Sequence, residues 1–145
     1  MKNEICLAVI SILGGWIATL FGGWSTALNV LMIFMTADYI TGLVVAGVFH
    51  NSKKTDTGAL ESRAGWKGLC RKGGTLLVVL IAAQLDLLMH STFIRDAVVI
   101  YFVGIEGISI LENLGLMGVK IPKFLSRMLD VLIKKSENID EKEGE

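Results

Sequence analysis

Residues 5–49 read ICLAVISILGGWIATLFGGWSTALNVLMIFMTADYITGLVVAGVF, and the only charged side chain in these 45 positions is Asp38. As a single helix the run would be about 67 Å long at about 1.5 Å per residue, more than twice a hydrocarbon core of about 30 Å. It must therefore turn back. Gly22-Gly23-Trp24-Ser25 is the natural hinge, because paired glycines loosen a helix and Trp24 suits the interfacial aromatic belt. One span is predicted over 5–21 and a second over 24–49.

Two more apolar stretches lie outward from this run, at 73–90 and 97–117, each near the length of about 17–25 residues that crosses a bilayer. The 145-residue chain is 52% hydrophobic with a single proline, beyond the composition of a soluble domain. The expected fold is an all-α integral membrane protein, with one domain of about four transmembrane helices over 1–118. Lys2 ahead of an apolar segment invites a cleaved leader, but the run overshoots a signal core and no small-x-small site precedes a polar region, so a retained span is expected.

Net charge is +0, yet the charges are segregated. With four spans, the N-terminus, the connector 51–72 and the tail after Met117 share one side. They hold 13 of the 14 basic residues, including Lys53, Lys54, Arg63, Lys67, Arg71 and Lys72 on the connector, and leave only Arg95 opposite. The positive-inside tendency then puts both termini in the cytoplasm of a bacterial cell. A three-span chain would split the two basic clusters across the bilayer. Cys6 and Cys70 fall near the cytoplasmic side, form no metal or redox spacing, and are read as incidental.

Small residues four apart mark faces where membrane helices approach closely. The first span carries Gly14, Ala18 and Gly22 beside Gly15, Thr19 and Gly23; the second carries Asp38, Gly42 and Ala46; the fourth carries Gly104, Gly107, Gly115 and Gly118. Packing within one chain and packing between subunits both fit these rows. Four acids, Asp38, Asp86, Glu106 and Glu112, fall inside or at the edges of spans. An ionised residue at a helix centre costs about 2.5–3.5 kcal/mol, so such groups face protein or water. Asp38 shares a face with Thr41 and Gly42, Asp86 lies one turn before His90, and Glu106, Ser109 and Asn113 form a stripe at i, i+3 and i+7. Asp38, Thr41, Glu106, Ser109, Glu112 and Asn113 are thus the candidate polar set for assembly or for a water-lined passage, with Glu112 and Asp86 expected nearer the interface.

The connector 50–72 mixes six basic residues with Leu60, Trp66 and Leu69 and is expected to lie partly along the headgroups. After Pro122 an amphipathic helix is predicted within 119–135, with Phe124, Leu125, Met128, Leu129 and Leu132 on one side and Lys123, Arg127, Asp130 and Lys134 on the other. Its periodicity fits either a membrane surface or a cytoplasmic bundle. The remainder, 136–145, reads as an acidic, solvated, mobile tail. No phosphate loop, metal cluster or nucleophile elbow is present, and His50 and His90 are expected on opposite faces, so neither an enzyme nor a cofactor is expected. The basic residues are better accounted for by orientation and anionic lipid than by nucleic acid.

Three segments together resemble the toxin-secretion/phage-lysis holin family: Asp38-Tyr39-Ile40-Thr41-Gly42; Ser62-Arg63-Ala64-Gly65-Trp66-Lys67-Gly68 ahead of Arg71-Lys72; and Glu106-Gly107-Ile108-Ser109-Ile110-Leu111-Glu112-Asn113, continuing as Leu114-Gly115 and Val119-Lys120-Ile121-Pro122. The resemblance runs in order from about residue 25 to 133. It implies a small protein that accumulates in the cytoplasmic membrane, self-associates into a homo-oligomer and opens a lesion. Through that lesion passes a muralytic endolysin or, in the toxin-release branch, a large toxin. A small proton-coupled or multidrug carrier built around Asp38 and Tyr39, and an antiholin-type regulator, are the competing readings.

Overall fold

The computed structural model describes residues 1–138. They form five helices: α1 Lys2–Leu20, α2 Thr26–Gly47, α3 Ser62–Met89, α4 Ile94–Leu116 and α5 Lys123–Glu137. Helices α1 to α4 are each long and apolar enough to cross a membrane. Ser136 and Glu137 belong to the last turn of α5, and the rest of the expected acidic tail, from residue 139, lies outside the described residues.

Helix α4 is the centre of the bundle, packing on α2, α3 and α5. The core is a short apolar layer of Leu28, Leu31 and Met35 from α2, Val79 from α3, and Val99 and Val103 from α4. By contrast α1 buries none of its residues. It is tied to the rest at its C-terminal end alone, where Gln84 Nε2 donates to the Leu20 carbonyl at 2.7 Å. The α1–α2 turn uses Gly22 and Gly23 at φ +74° and +91°, a region that side chains with a Cβ rarely adopt. Ser25 then caps α2, its Oγ accepting from the Leu28 N–H at 3.2 Å.

The connector divides into two unlike parts. Its irregular portion ends at Glu61, and helix α3 begins at Ser62, eleven residues ahead of the apolar stretch at Gly73. Gly65 and Gly68 face Tyr39 of α2, a Cβ on either standing at ordinary contact distance from its hydroxyl and its Cε2, 3.7 and 3.8 Å. The first three turns of α3 therefore run along the end of α2.

The α3–α4 turn is closed by Asp86 rather than by a residue of the turn itself. His90 ends α3 in the left-handed region at φ 54° and is exposed. The Asp86 carboxylate meets Ser91, not His90: it accepts from the Ser91 hydroxyl at 2.5 Å and from the N–H groups of Ile94 and Arg95 at 3.1 and 2.9 Å. Phe93 precedes α4 without offering a side-chain cap, so Asp86 satisfies the orphan donors of the first turn from the neighbouring helix. Asp86→Ala is expected to lower stability by about 1–2 kcal/mol, as loss of a helix cap does. An SDS-unfolding titration in micelles would read this as an earlier midpoint.

Candidate functional site

Asp38, Lys72 and Glu106 come from three different helices and meet at one level. Asp38 lies nine residues before the end of α2, Lys72 ten residues after the start of α3, and Glu106 ten residues before the end of α4. At about 1.5 Å per residue each is about 14–15 Å from the end of the bundle that carries the connector, which we term the basic end. Lys72 Nζ donates to Asp38 Oδ2 at 2.7 Å and to Glu106 Oε2 at 2.5 Å. All three side chains are nearly enclosed, with relative exposures of 13%, 9% and 10% for Lys72, Asp38 and Glu106.

A second ammonium balances the second carboxylate. Lys54 Nζ, from the irregular connector, is 3.7 Å from Asp38 Oδ1 and donates to Ser109 Oγ at 3.3 Å. Asn113 completes the set, its Nδ2 donating to Asp38 Oδ1 at 3.1 Å, to the Asp38 carbonyl at 3.3 Å and to Thr41 Oγ at 2.9 Å. Thr41 in turn donates to the Asp38 carbonyl at 3.1 Å. Two acids and two lysines thus form a charge-neutral cluster held by three helices and a loop. This offsets the penalty of about 2.5–3.5 kcal/mol that each lone charge would incur at a span centre. Beside it opens a cavity of about 340 Å³, lined by Asp38, Tyr39, Lys54, Arg71, Lys72 and Glu106 among others.

Asp38, Thr41, Glu106, Ser109 and Asn113 all converge here, whereas Glu112 is exposed and stands apart. Of the connector's basic residues, Lys53 and Lys54 lie in irregular chain, while Arg63, Lys67 and Arg71 are exposed on the first turns of α3. Lys72, grouped with them by sequence, turns inward instead. Its position was legible on a longer helix, because stepping back from Asp86 through Ala83, Val79 and Leu76 on one face arrives at Lys72.

The small residues divide likewise. Nothing in the chain lies within 4 Å of where a Cβ on Gly14 or Gly15 would stand. Ala18 is half-buried. Gly22 sits under Arg95 Nη1, 3.1 Å from its Cβ position, and Gly42 faces Asn113 Nδ2 at 3.7 Å. Ala46 is buried. Gly107 receives Leu129 of α5, with Cβ distances of 2.9 Å to both methyl carbons.

At the opposite end Arg95 has a role that charge counting did not give it. Its Nη1 is 2.9, 2.9 and 3.2 Å from the carbonyls of Phe21, Gly22 and Gly23, and its Nε and Nη2 donate to Asp96 Oδ1 at 3.0 and 2.9 Å. A cation on carbonyls left unpaired by the end of α1 is the favourable sign for a helix C-terminus. Among the described residues no group of three or more His, Cys, Asp or Glu could hold a metal ion.

Residues 15–134 match the bacteriophage holin family. A probable holin of Bacillus phage phi105 is 32% identical over 119 residues, covering 81% of this chain and 82% of that protein. An uncharacterized protein of Listeria innocua serovar 6a is 39% identical over 125 residues, 85% of this chain and 83% of its own. A 14.9 kDa protein of Clostridium perfringens is 36% identical over 135 residues, 92% of this chain and 96% of its own. No solved structure matches the chain. With four apolar helices, three of which hold a neutralised charged cluster, and a family match across most of its length, this multi-pass membrane protein belongs to the bacteriophage holin family.

Proposed function

We propose that the chain accumulates in the bacterial cytoplasmic membrane with both termini and the basic end inside, self-associates, and opens a lesion that lets a muralytic endolysin reach the cell wall. In a toxin-release setting the same lesion would pass a large toxin. One observation carries this reading beyond family membership: the bundle is closed upon itself. Lys72 ties α3 to both α2 and α4, and the cavity beside it, at about 340 Å³, is of small-molecule size. A passage for a protein therefore has to lie between copies. Helix α1, none of whose residues is buried within its own chain, is an apolar surface left to meet lipid or another copy. The candidate packing residues Gly14, Gly15 and Ala18 stand on it.

A carrier reading has one observation in its favour, since Asp38 and Tyr39 both line the cavity. A carrier acid, however, needs to load and release its proton or substrate, and here Asp38 is engaged by Lys72, Lys54 and Asn113 together. Purified protein in liposomes separates the two. The pore is expected to release an entrapped dye without any proton gradient once the protein-to-lipid ratio passes a threshold. Uptake that saturates and stops when the gradient is dissipated would instead establish the carrier. An antiholin would give neither, and its co-expression with a lytic partner would delay depolarisation.

A further inference from the structure

The cavity of about 340 Å³ is bounded by α2, α3, α4 and the connector together. On α3 its lining runs from Ala64 to Thr75, so it starts nine residues ahead of the apolar stretch at Gly73 and ends within the first turn of that stretch. On α4 the lining residues farther from the basic end than Glu106 are Phe102 and Ile105, both apolar. The cavity thus straddles the level at which headgroups give way to acyl chains, and at its rim Leu60, Arg71 and Ile105 are exposed.

Its charges do not all cancel. Asp38 and Glu106 are matched by Lys72 and Lys54. Arg71 also lines the cavity and is exposed, and among the described residues it makes no ion pair. Lys67 and Arg63, one and two turns back on α3, are exposed and equally unpaired. At about 100° per residue the three cations fall within one sector of about 80°. The remaining acid of the lining, Glu61, lies ten residues before Arg71, about 15 Å along the helix, where it accepts from the Thr57 hydroxyl at 2.9 Å. Thr55 Oγ1, from another lining residue, is buried with no hydrogen-bond partner among the described residues, which is rare for a hydroxyl in a folded protein.

We propose that the cavity is a binding site for one anionic phospholipid, with the phosphodiester on the Arg71 guanidinium, the headgroup turned toward Thr55 and the start of an acyl chain against Phe102 and Ile105. The guanidinium offers paired N–H donors in the geometry of two phosphate oxygens. Arg63 and Lys67 add a field that favours a net negative headgroup over a zwitterionic one. The site is complete in a single copy and does not depend on assembly.

The test is native mass spectrometry of the full chain released from detergent micelles holding equimolar phosphatidylglycerol and phosphatidylethanolamine in about 150 mM ammonium acetate, where charges are felt over about 8 Å. One phosphatidylglycerol is expected to stay bound in preference. Arg71→Gln is expected to lower its retention about tenfold, the equivalent of about 1.4 kcal/mol. Arg63→Gln removes the same charge about 12 Å away on the same helix, beyond the screening length, and is expected to leave retention within about twofold. Equal retention of the two lipids, or equal losses in the two variants, would overturn the site and leave a diffuse basic surface. Excess glycerol 3-phosphate is expected not to displace the lipid, and displacement would assign the cavity to a soluble phosphate ester instead. Unchanged retention in Ala64→Phe, which fills the cavity and keeps every charge, would put the lipid on the outer face of α3 and likewise overturn the assignment.

Discussion

Lys72→Met is expected to be the most damaging single substitution in the chain. It preserves the length and helix propensity of the side chain while removing the one cation that contacts both carboxylates. Asp38 would keep a distant partner in Lys54 at 3.7 Å, but Glu106 would be left enclosed with no cation in the described structure within salt-bridge distance. Removing one member of a buried ion pair costs about 3–5 kcal/mol, because the remaining charge is still desolvated. Against the total of about 5–15 kcal/mol that holds a domain together, that is enough to deplete the folded bundle. The measurement is the SDS-unfolding midpoint in micelles, together with the steady-state level in the membrane. The triple variant Lys72→Met, Asp38→Asn, Glu106→Gln should recover most of the loss, since neutral amides remain hydrogen-bonded without a counter-ion. A Lys72→Met protein as stable as the parent would show that the cluster is held open to water and carries no structural load.

Gly104→Val is expected to release α5 from the bundle while leaving α2, α3 and α4 associated. The first added carbon would stand 2.5 Å from Ile133 Cγ1 and 3.4 Å from the Leu129 carbonyl, so a rotamer change of Ile133 alone does not make room for a branched side chain. Overpacking of this kind costs about 1–3 kcal/mol, and each 1.4 kcal/mol shifts a docking equilibrium about tenfold. The readout is trypsin cleavage after Arg127 and Lys134 in micelles, which should accelerate about tenfold or more, with the SDS midpoint of the core little changed. Unaltered cleavage would mean that α5 is not seated on this face in solution.

The four spans were legible because lipid imposes a simple condition on sequence: a crossing helix needs about 20 apolar residues in a row. The stripe of Glu106, Ser109 and Asn113 was legible for a similar reason, since a period of 3.6 within one helix fixes which side chains share a face. Hydrophobicity could not reveal where α3 begins. Ser62 to Lys72 is polar enough to be a loop, yet it is helical and passes Tyr39 of α2 with Gly65 and Gly68 facing that side chain. Lys72 was therefore assigned to the connector, and the partnership of Asp38 with Glu106 through it was hidden. Arg95 and Asp86 escaped in the same way, because each joins one helix to another through backbone groups, which no side-chain pattern records. Periodicity also identified the apolar side of α5 without saying what that side covers.

The charged cluster carries a consequence for biogenesis. Lys72 is 34 residues downstream of Asp38 and 34 upstream of Glu106. At a ribosomal pace of about 5–20 residues per second, Asp38 is made about 2–7 s before Lys72, and Lys72 then waits as long again for Glu106. Until that last carboxylate arrives, the nascent protein carries an incomplete set of charges that favours the aqueous boundary over the acyl region. The second, third and fourth segments are therefore expected to settle at full depth together, once Glu106 has emerged, and not one by one.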